Sequence, residues 1–300
     1  MILPVGTQVV TRVTLPATAE RAAMAAGAVG VIVKAPTDQT HAYRIQLVSG
    51  IEVSLKRDEF SIRKQDQQAG LSRGTACDEA VLRRGIILRV VVGSRAYGLA
   101  RDESDTDRRG VYVPPAELHW SLFGVPEQIE SDESQECYWE IGKFLVLALK
   151  ANPNVLECLY SPMVEFTAPL GRELLDMREA FLSRLVYQTY NGYVLSQFHK
   201  LEQDLRSKGA VKWKHAMHLI RLLLSGITVL REGFVPVRVD EHRERLLAIR
   251  DGAVDWDEVN AWRLELHKEF DAAFAATKLP EQPDYARVDA FLIKVRREQV

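Results

Sequence analysis

The chain of 300 residues is close to neutral, with 39 lysines and arginines against 41 aspartates and glutamates and a formal net charge of -2. This balance excludes an overall basic field that would draw the protein to nucleic acid, so a site for a polyanion has to be a local patch. No stretch approaches the roughly 18 uninterrupted apolar residues of a membrane span, and the N-terminus lacks the basic-then-apolar order of a secretory signal. We therefore expect a cytoplasmic protein with no membrane partner.

Residues 1–65 predict a small β-barrel made of short strands. Apolar residues alternate with polar ones on both sides of Ser49-Gly50, which predicts a hairpin with a two-residue turn. The strands are expected within four segments, 7–15, 27–36, 42–50 and 51–60. In shape the pattern resembles the SH3-like barrels, which bind or position nucleic acid and protein. A protein partner for this barrel is therefore one expectation.

Three further parts follow along the chain. A polar stretch that contains glycine predicts a linker at 66–77. Alternating helical and strand patterns over 78–168 predict a mixed sheet with helices, and long amphipathic runs over 169–300 predict a helical domain. The expected fold class is therefore α+β. The three cysteines are far apart and form no CxxC pair, which favours neither a disulfide framework nor a cysteine zinc site.

The strongest signal for chemistry is the segment after the apolar run 86–92, which opens with Gly93-Ser94 and reaches Asp105 and Asp107. A P-loop is excluded because its lysine and hydroxyl residue are missing, and the Rossmann pattern GxGxxG is absent. Glycine lets a triphosphate approach the backbone closely. Residues two apart on a strand point the same way, so the two carboxylates can share divalent ions. This pattern predicts a metal-triphosphate site; a solvated acidic turn is the alternative.

Four segments carry a resemblance to a known family. They are GSRAYGL at 93–99, SDTDRRGVYVPP at 104–115, EIGKFLVLALKANPNVLECLYSP at 140–162 and KHAMHLIRLL at 214–223. Together they resemble the DNA polymerase β superfamily of nucleotidyltransferases, in particular a branch linked to RNA repair. The resemblance covers residues 85–275 and implies transfer of a nucleoside monophosphate from a triphosphate, with ATP expected, to a hydroxyl acceptor. It also implies Mg²⁺ or Mn²⁺ as cofactor and release of pyrophosphate.

The resemblance assigns roles to residues of the motif. Gly93 and Ser94 are expected to hold the phosphates, and Arg95 and Tyr97 are further candidates for nucleotide binding. Asp105, Asp107 and Glu136 are expected to be catalytic and to bind the metals. The acceptor implied is an RNA or transfer RNA end. The alternatives are a protein hydroxyl, as in AMP-transferring toxin and antitoxin systems, and a small molecule. A nucleotide- or RNA-binding module whose catalytic residues have decayed is the rival interpretation.

Glu136 is the candidate for the third carboxylate beside Asp105 and Asp107. The segment Glu136-Cys137-Tyr138-Trp139 has the pattern of a strand that precedes the next helix. Enzymes of this superfamily usually carry a carboxylate on that strand as general base or metal ligand. A shift of one residue would place Gln135 there, which would put full activity in doubt. Glu130, Asp132 and Glu133 are expected in an exposed acidic loop.

The helix that begins near Val211 carries one polar stripe at helical spacing, formed by Lys214, His218, Arg221 and Ser225. The stripe contains no acid, so it predicts a face for an anion, with Lys214 or Arg221 on the triphosphate and His218 on the phosphate or sugar. A solvated basic face is the alternative, and Arg95 or Lys143 would then contact the phosphate. On the preceding helix Tyr190, Tyr193 and Gln197 either contact a base or belong to the core.

Overall fold

The computed structural model describes residues 2–17, 22–36, 38, 41–66, 78–208 and 212–300. The chain forms two compact units, residues 1–76 with 121–124 and residues 77–120 with 125–300. Nearly all of the predicted linker 66–77 lies outside the described residues, as does the predicted helix start at Val211. Among the helices that are described, none combines the length and the apolar character needed to cross a membrane.

The N-terminal unit contains an antiparallel sheet. Its strands are β1 (Gln8–Thr11), β2 (Val29–Lys34), β3 (Tyr43–Leu47), β4 (Glu52–Leu55) and β5 (Phe60–Ile62). They are ordered β4-β3-β2-β1-β5. The predicted hairpin is confirmed, since β3 and β4 pair with Tyr43 opposite Leu55, and Gly50 in the turn has a φ of 84°. The SH3-like barrel class and a protein partner for this unit stay predictions.

The second unit contains the sheet that positions the candidate site. Its strands are β6 (Ile86–Val92), β7 (Asp107–Tyr112), β8 (Gln128–Ser131), β9 (Glu136–Glu140) and β10 (Val164–Thr167). They are ordered β10-β6-β7-β9-β8. β7 and β9 pair in parallel, whereas the other neighbours are antiparallel, so the sheet is mixed. The predicted α+β class is confirmed.

Helices cover both faces of this sheet and fill the rest of the unit. They are α1 (Glu79–Arg84), α2 (Gly93–Ala96), α3 (Ala116–Trp120), α4 (Ile141–Leu149), α5 (Pro153–Tyr160), α6 (Pro169–Asp176), α7 (Leu185–Lys208), α8 (Trp213–Glu232), α9 (Arg243–Arg250), α10 (Trp256–Ala276) and α11 (Tyr285–Arg297). Short 3₁₀ segments lie at Arg178–Phe181 and Asp240–His242. The long helix α8 ends where Gly233 adopts a left-handed conformation with a φ of 67°.

Side-chain alternation divides the core of this unit between the two faces of the sheet. One face carries Tyr112 and Tyr138, which pack with Leu82 of α1. The other face carries Leu88 and Val111, which belong to a large apolar cluster that runs through the later helices to residue 295. Because one cluster joins the sheet to the helices, the predicted boundary between 168 and 169 does not coincide with a break in the core.

Candidate active site

A cleft of about 310 Å³ opens where the sheet, the α2 turn and helix α8 meet. Seven of the residues predicted for the site line it: Gly93, Ser94, Tyr97, Asp105, Asp107, Lys214 and His218. Five further residues line it that sequence reasoning did not select: Leu99, Glu103, Ser104, Met217 and Arg250. The cleft thus has carboxylates on one side, and the helices contribute the side chains of Lys214, His218 and Arg250.

Strand β6 ends in the Gly93 turn, which brings the turn against one of the two aspartates. Val92 pairs with Asp107 across the β6–β7 ladder. Gly93 has a φ of 69°, and a Cβ atom at this position would lie 2.6 Å from Oδ2 of Asp107. Only glycine therefore allows both the left-handed backbone and the close approach of the carboxylate.

The loop that carries Asp105 is held by Arg95. Its guanidinium donates to the carbonyl oxygens of Ser104 at 2.6 Å and of Asp105 at 3.3 Å. Arg95 itself does not line the cleft. Its role in this structure is therefore to shape the aspartate loop, and the predicted phosphate contact by Arg95 has no support in the geometry.

The donor set of the cleft fits a hard divalent cation. Asp105 and Asp107 both line it, and the cationic partner of Asp107 is Arg109, whose Nη2 lies 3.9 Å from Oδ1. Within the described ranges, no group of three or more His, Cys, Asp or Glu side chains is arranged to hold a metal by itself. Mg²⁺ commonly binds one or two carboxylates and takes its remaining ligands from water and substrate phosphates. Two aspartates that line a cleft of about 310 Å³ match that requirement.

Glu136 lies on the wrong face of the sheet for the predicted role. It pairs with Arg108 in the parallel β7–β9 ladder, so it shares a face with Arg108 rather than with Asp107. Its carboxylate accepts a hydrogen bond of 2.8 Å from Arg83 of α1. Burial opposes ionisation, but the Arg83 guanidinium outweighs it and lowers the pKa of Glu136. In this structure the carboxylate of Glu136 is therefore held in an ion pair with Arg83, away from the cleft.

The residues of β9 on the same face as Asp107 are Cys137 and Trp139, which pair with Arg109 and Val111. Burial raises the pKa of the Cys137 thiol to about 11, so it is neutral at physiological pH. Gln135, the alternative considered from the sequence, has a φ of 53° and directs its carbonyl oxygen to the backbone N–H of Arg108. β9 therefore supplies no carboxylate to the cleft.

The polar stripe of α8 runs from the cleft into the core. Lys214 is exposed and His218 is half-buried, and both line the cleft. Burial and the neighbouring Arg221 and Lys214 charges lower the pKa of His218 to about 3, so its imidazole is neutral at physiological pH. Arg221 and Ser225 are buried instead. The predicted triphosphate contact by Arg221 is corrected, because this guanidinium forms an ion pair with Glu157 below the cleft.

Helix α9 supplies a cation that the sequence did not reveal. Arg250 lines the cleft, and its Nη1 donates to the carbonyl oxygen of Leu99 at 2.6 Å. Arg250 lies at the end of an ordinary amphipathic run, and only the packing of α9 against the loop after α2 brings it to the site. Helix propensity and spacing contain no signal for that contact.

The other candidates lie away from the cleft. Tyr190 is fully buried in the apolar core, and the hydroxyl of Tyr193 accepts a hydrogen bond from Asn152 at 2.8 Å. Neither tyrosine lines the cleft, and neither does Gln197. Lys143 forms an ion pair of 2.6 Å with Glu127. For the tyrosines, the core alternative weighed from the sequence agrees with their burial.

Comparison with known proteins agrees with the geometry. The chain matches the RNA repair pathway DNA polymerase beta family over residues 64–294, a span that contains the whole cleft. It is also 30% identical over 156 residues to the uncharacterized protein YcgL of Bacillus subtilis (strain 168). That alignment spans 50% of this chain and 58% of the relative. With a Gly-Ser turn and two aspartates on one cleft, and a family match over most of its length, the chain belongs to the RNA repair pathway DNA polymerase beta family.

Proposed function

We propose that the protein is a magnesium-dependent nucleotidyltransferase that moves a nucleoside monophosphate from a triphosphate to a hydroxyl group and releases pyrophosphate. The observation that carries the proposal is the single cleft that joins Gly93 and Ser94 to Asp105 and Asp107. In phosphoryl transfer, divalent ions held by carboxylates stabilise the charge of the reacting phosphates, and a glycine turn lets phosphate oxygens approach the backbone.

Each side of the cleft has its own task in this proposal. Asp105 and Asp107 would hold the divalent ion, which supplies charge stabilisation for the reacting phosphate. The Ser94 hydroxyl and the Lys214 ammonium group bind phosphate oxygens. Arg250 adds a second cation from α9, and the neutral His218 contributes hydrogen bonds without adding charge. Leu99, Met217 and the ring of Tyr97 form the apolar part of the wall, which suits a base or sugar.

An RNA or transfer RNA end is the acceptor that we propose, and ATP is the proposed donor. Membership of the RNA repair family supports this choice. The same cleft is compatible with a protein hydroxyl, as in AMP-transferring systems, so the acceptor is the part of the proposal that the experiment has to identify.

A second candidate function is a nucleotide- or RNA-binding module without catalytic activity. The position of Glu136 favours it, since this carboxylate pairs with Arg83 of α1 and no residue of β9 lines the cleft. Under this interpretation Asp105 and Asp107 bind a metal-nucleotide complex that is not turned over.

One experiment separates the two functions. The protein is incubated with each α-³²P-labelled nucleoside triphosphate, magnesium and total RNA or purified transfer RNA, and label transfer to the acceptor is measured. We expect transfer by the natural sequence, loss by orders of magnitude in Asp107→Asn, and near-normal transfer in Glu136→Gln, which is the matched control. Binding of a triphosphate without transfer to RNA or to the protein itself would support the binding module and refute the transferase.

A further inference from the structure

A buried polar network lies directly below the cleft. Arg221 of α8 and Glu157 of α5 form an ion pair whose side chains are only 5% and 3% exposed. The guanidinium carbon of Arg221 lies 3.8 Å from the centroid of the Tyr97 ring, and the Tyr97 hydroxyl donates to Oε2 of Glu157 at 2.6 Å. Three separate elements, the α2 turn, α5 and α8, therefore meet in one network.

The surroundings of Tyr97 and Arg221 shift the pKa of both groups upward. Burial, with the nearby Glu157 carboxylate, raises the pKa of Tyr97, so its hydroxyl remains a donor. Burial disfavours the charged form of Arg221, but Glu157 outweighs this and holds the pKa of Arg221 above its ordinary value. At physiological pH Tyr97 therefore keeps its proton and Arg221 stays a cation.

The network touches the cleft through Tyr97 alone. Tyr97 lines the cleft and follows Ser94 by three residues, whereas Arg221 lies on the helix that presents Lys214 and His218. The stacked and hydrogen-bonded tyrosine ring thus connects the Gly93-Ser94 turn to the interior of α8. A buried ion pair gives little net stability compared with apolar residues of similar volume, so stability alone is a weak account of this pair.

We infer that the Arg221–Glu157 pair is a positioning device for the nucleotide, which acts through Tyr97 to hold the phosphate-binding turn and α8 at the distance that a triphosphate spans. This inference rests on the proposed function. It makes Arg221 a positioning residue, one that acts on nucleotide affinity without touching the ligand. Its planar guanidinium is required because stacking on Tyr97 and pairing with Glu157 occur at the same time.

The test compares Arg221→Lys with Arg296→Lys. Arg296 pairs with Glu140 at 2.6 Å, with side chains 20% and 10% exposed, and neither residue lines the cleft. Both exchanges keep the charge and remove the planar group. Binding of ATP, GTP, CTP and UTP with magnesium is measured by titration calorimetry, and the unfolding temperature is recorded in parallel.

We expect Arg221→Lys to weaken binding of the tightest triphosphate about tenfold and Arg296→Lys to leave it unchanged, with similar small decreases in unfolding temperature. The double variant Glu157→Gln/Arg221→Met, which removes both charges, should recover stability but not affinity, and it replaces Arg221→Lys if that variant does not fold. If Arg221→Lys and the double variant both bind the triphosphate as tightly as the natural sequence does, the inference is overturned and the proposed function is not. If the natural sequence binds no triphosphate, both the inference and the proposed function are overturned.

Discussion

Replacement of Gly93 by alanine should separate folding from catalysis. The added Cβ atom would lie 2.6 Å from Oδ2 of Asp107, about 0.8 Å short of the 3.4 Å at which ordinary contact begins. The carboxylate can swing away because it ends a short flexible side chain, so the clash costs little stability. When it moves, however, the Asp107 carboxylate leaves its position beside Asp105 in the cleft. A misplacement of about 1 Å at a reacting centre typically costs about 100-fold in rate.

Gly98→Ala is the matched control. Gly98 has a φ of 75°, close to that of Gly93, but the atoms nearest to its added Cβ are side-chain ends of Arg238 and Asp240 at 3.7 and 3.8 Å. Both variants therefore carry the same left-handed strain, about 1 to 2 kcal/mol for a residue with a Cβ atom. Only Gly93→Ala displaces a carboxylate of the cleft.

The assay measures label transfer at saturating triphosphate together with unfolding in urea. We expect Gly93→Ala to lower kcat about 100-fold and Gly98→Ala to change it less than about threefold, with equal losses of stability. Equal rates in the two variants would refute the reasoning, because the contact between residue 93 and Asp107 would then have no catalytic consequence.

Two further predictions concern Glu136, which lies outside the cleft, and Lys214, which lines it. Glu136→Gln should lose about 1 to 2 kcal/mol of stability at pH 7, since it breaks the charge-assisted bond to Arg83. Because the folded pKa of Glu136 is lowered from its ordinary 4.5, this difference should shrink as the pH falls below 4.5 and vanish below the folded pKa, in urea titrations at several pH values. Lys214→Ala should raise the KM for the triphosphate about fivefold, the equivalent of about 1 kcal/mol for an exposed cation. Lys212→Ala is its control, because Lys212 pairs with Asp204 at 3.4 Å and does not line the cleft. A KM change shared by both lysine variants would contradict a phosphate contact by Lys214.

The features that could be predicted from the sequence depend on short-range pattern. Alternation over Tyr43–Leu47 and a glycine turn determine a hairpin between two strands that are consecutive in the chain. The apolar run of β6 followed by Gly93 likewise places the turn at the end of a buried strand. Because Asp107 pairs with Val92, the ladder between β6 and β7 is local enough to bring the aspartates to that turn.

Contacts between distant elements could not be predicted in this way. Helical spacing correctly groups Lys214 with His218 and Arg221, but it does not say how far the stripe descends into the protein. That depth depends on Glu157, 64 residues away, which supplies the buried partner for Arg221. Arg250 reaches the cleft for a similar reason, through a contact with the carbonyl oxygen of Leu99 that is 151 residues away in the chain.

The position of Glu136 depends on a register of one residue. In a strand, a shift of one residue transfers every side chain to the opposite face. Gln135 enters β9 with a φ of 53°, and its carbonyl oxygen accepts the N–H of Arg108, which sets Glu136 opposite Arg108. A left-handed residue at this point is unusual for glutamine and is not evident from composition.

The same register that removes Glu136 from the cleft brings Cys137 opposite Arg109. If the protein transfers nucleotides, the acceptor hydroxyl must therefore lose its proton without a carboxylate from β9, and Cys137→Asp is the substitution that would add one on the face of Asp107. An increase in kcat for Cys137→Asp, with an unchanged KM for the triphosphate, would show that the missing third carboxylate limits the rate; an unchanged kcat in a folded variant would show that it does not.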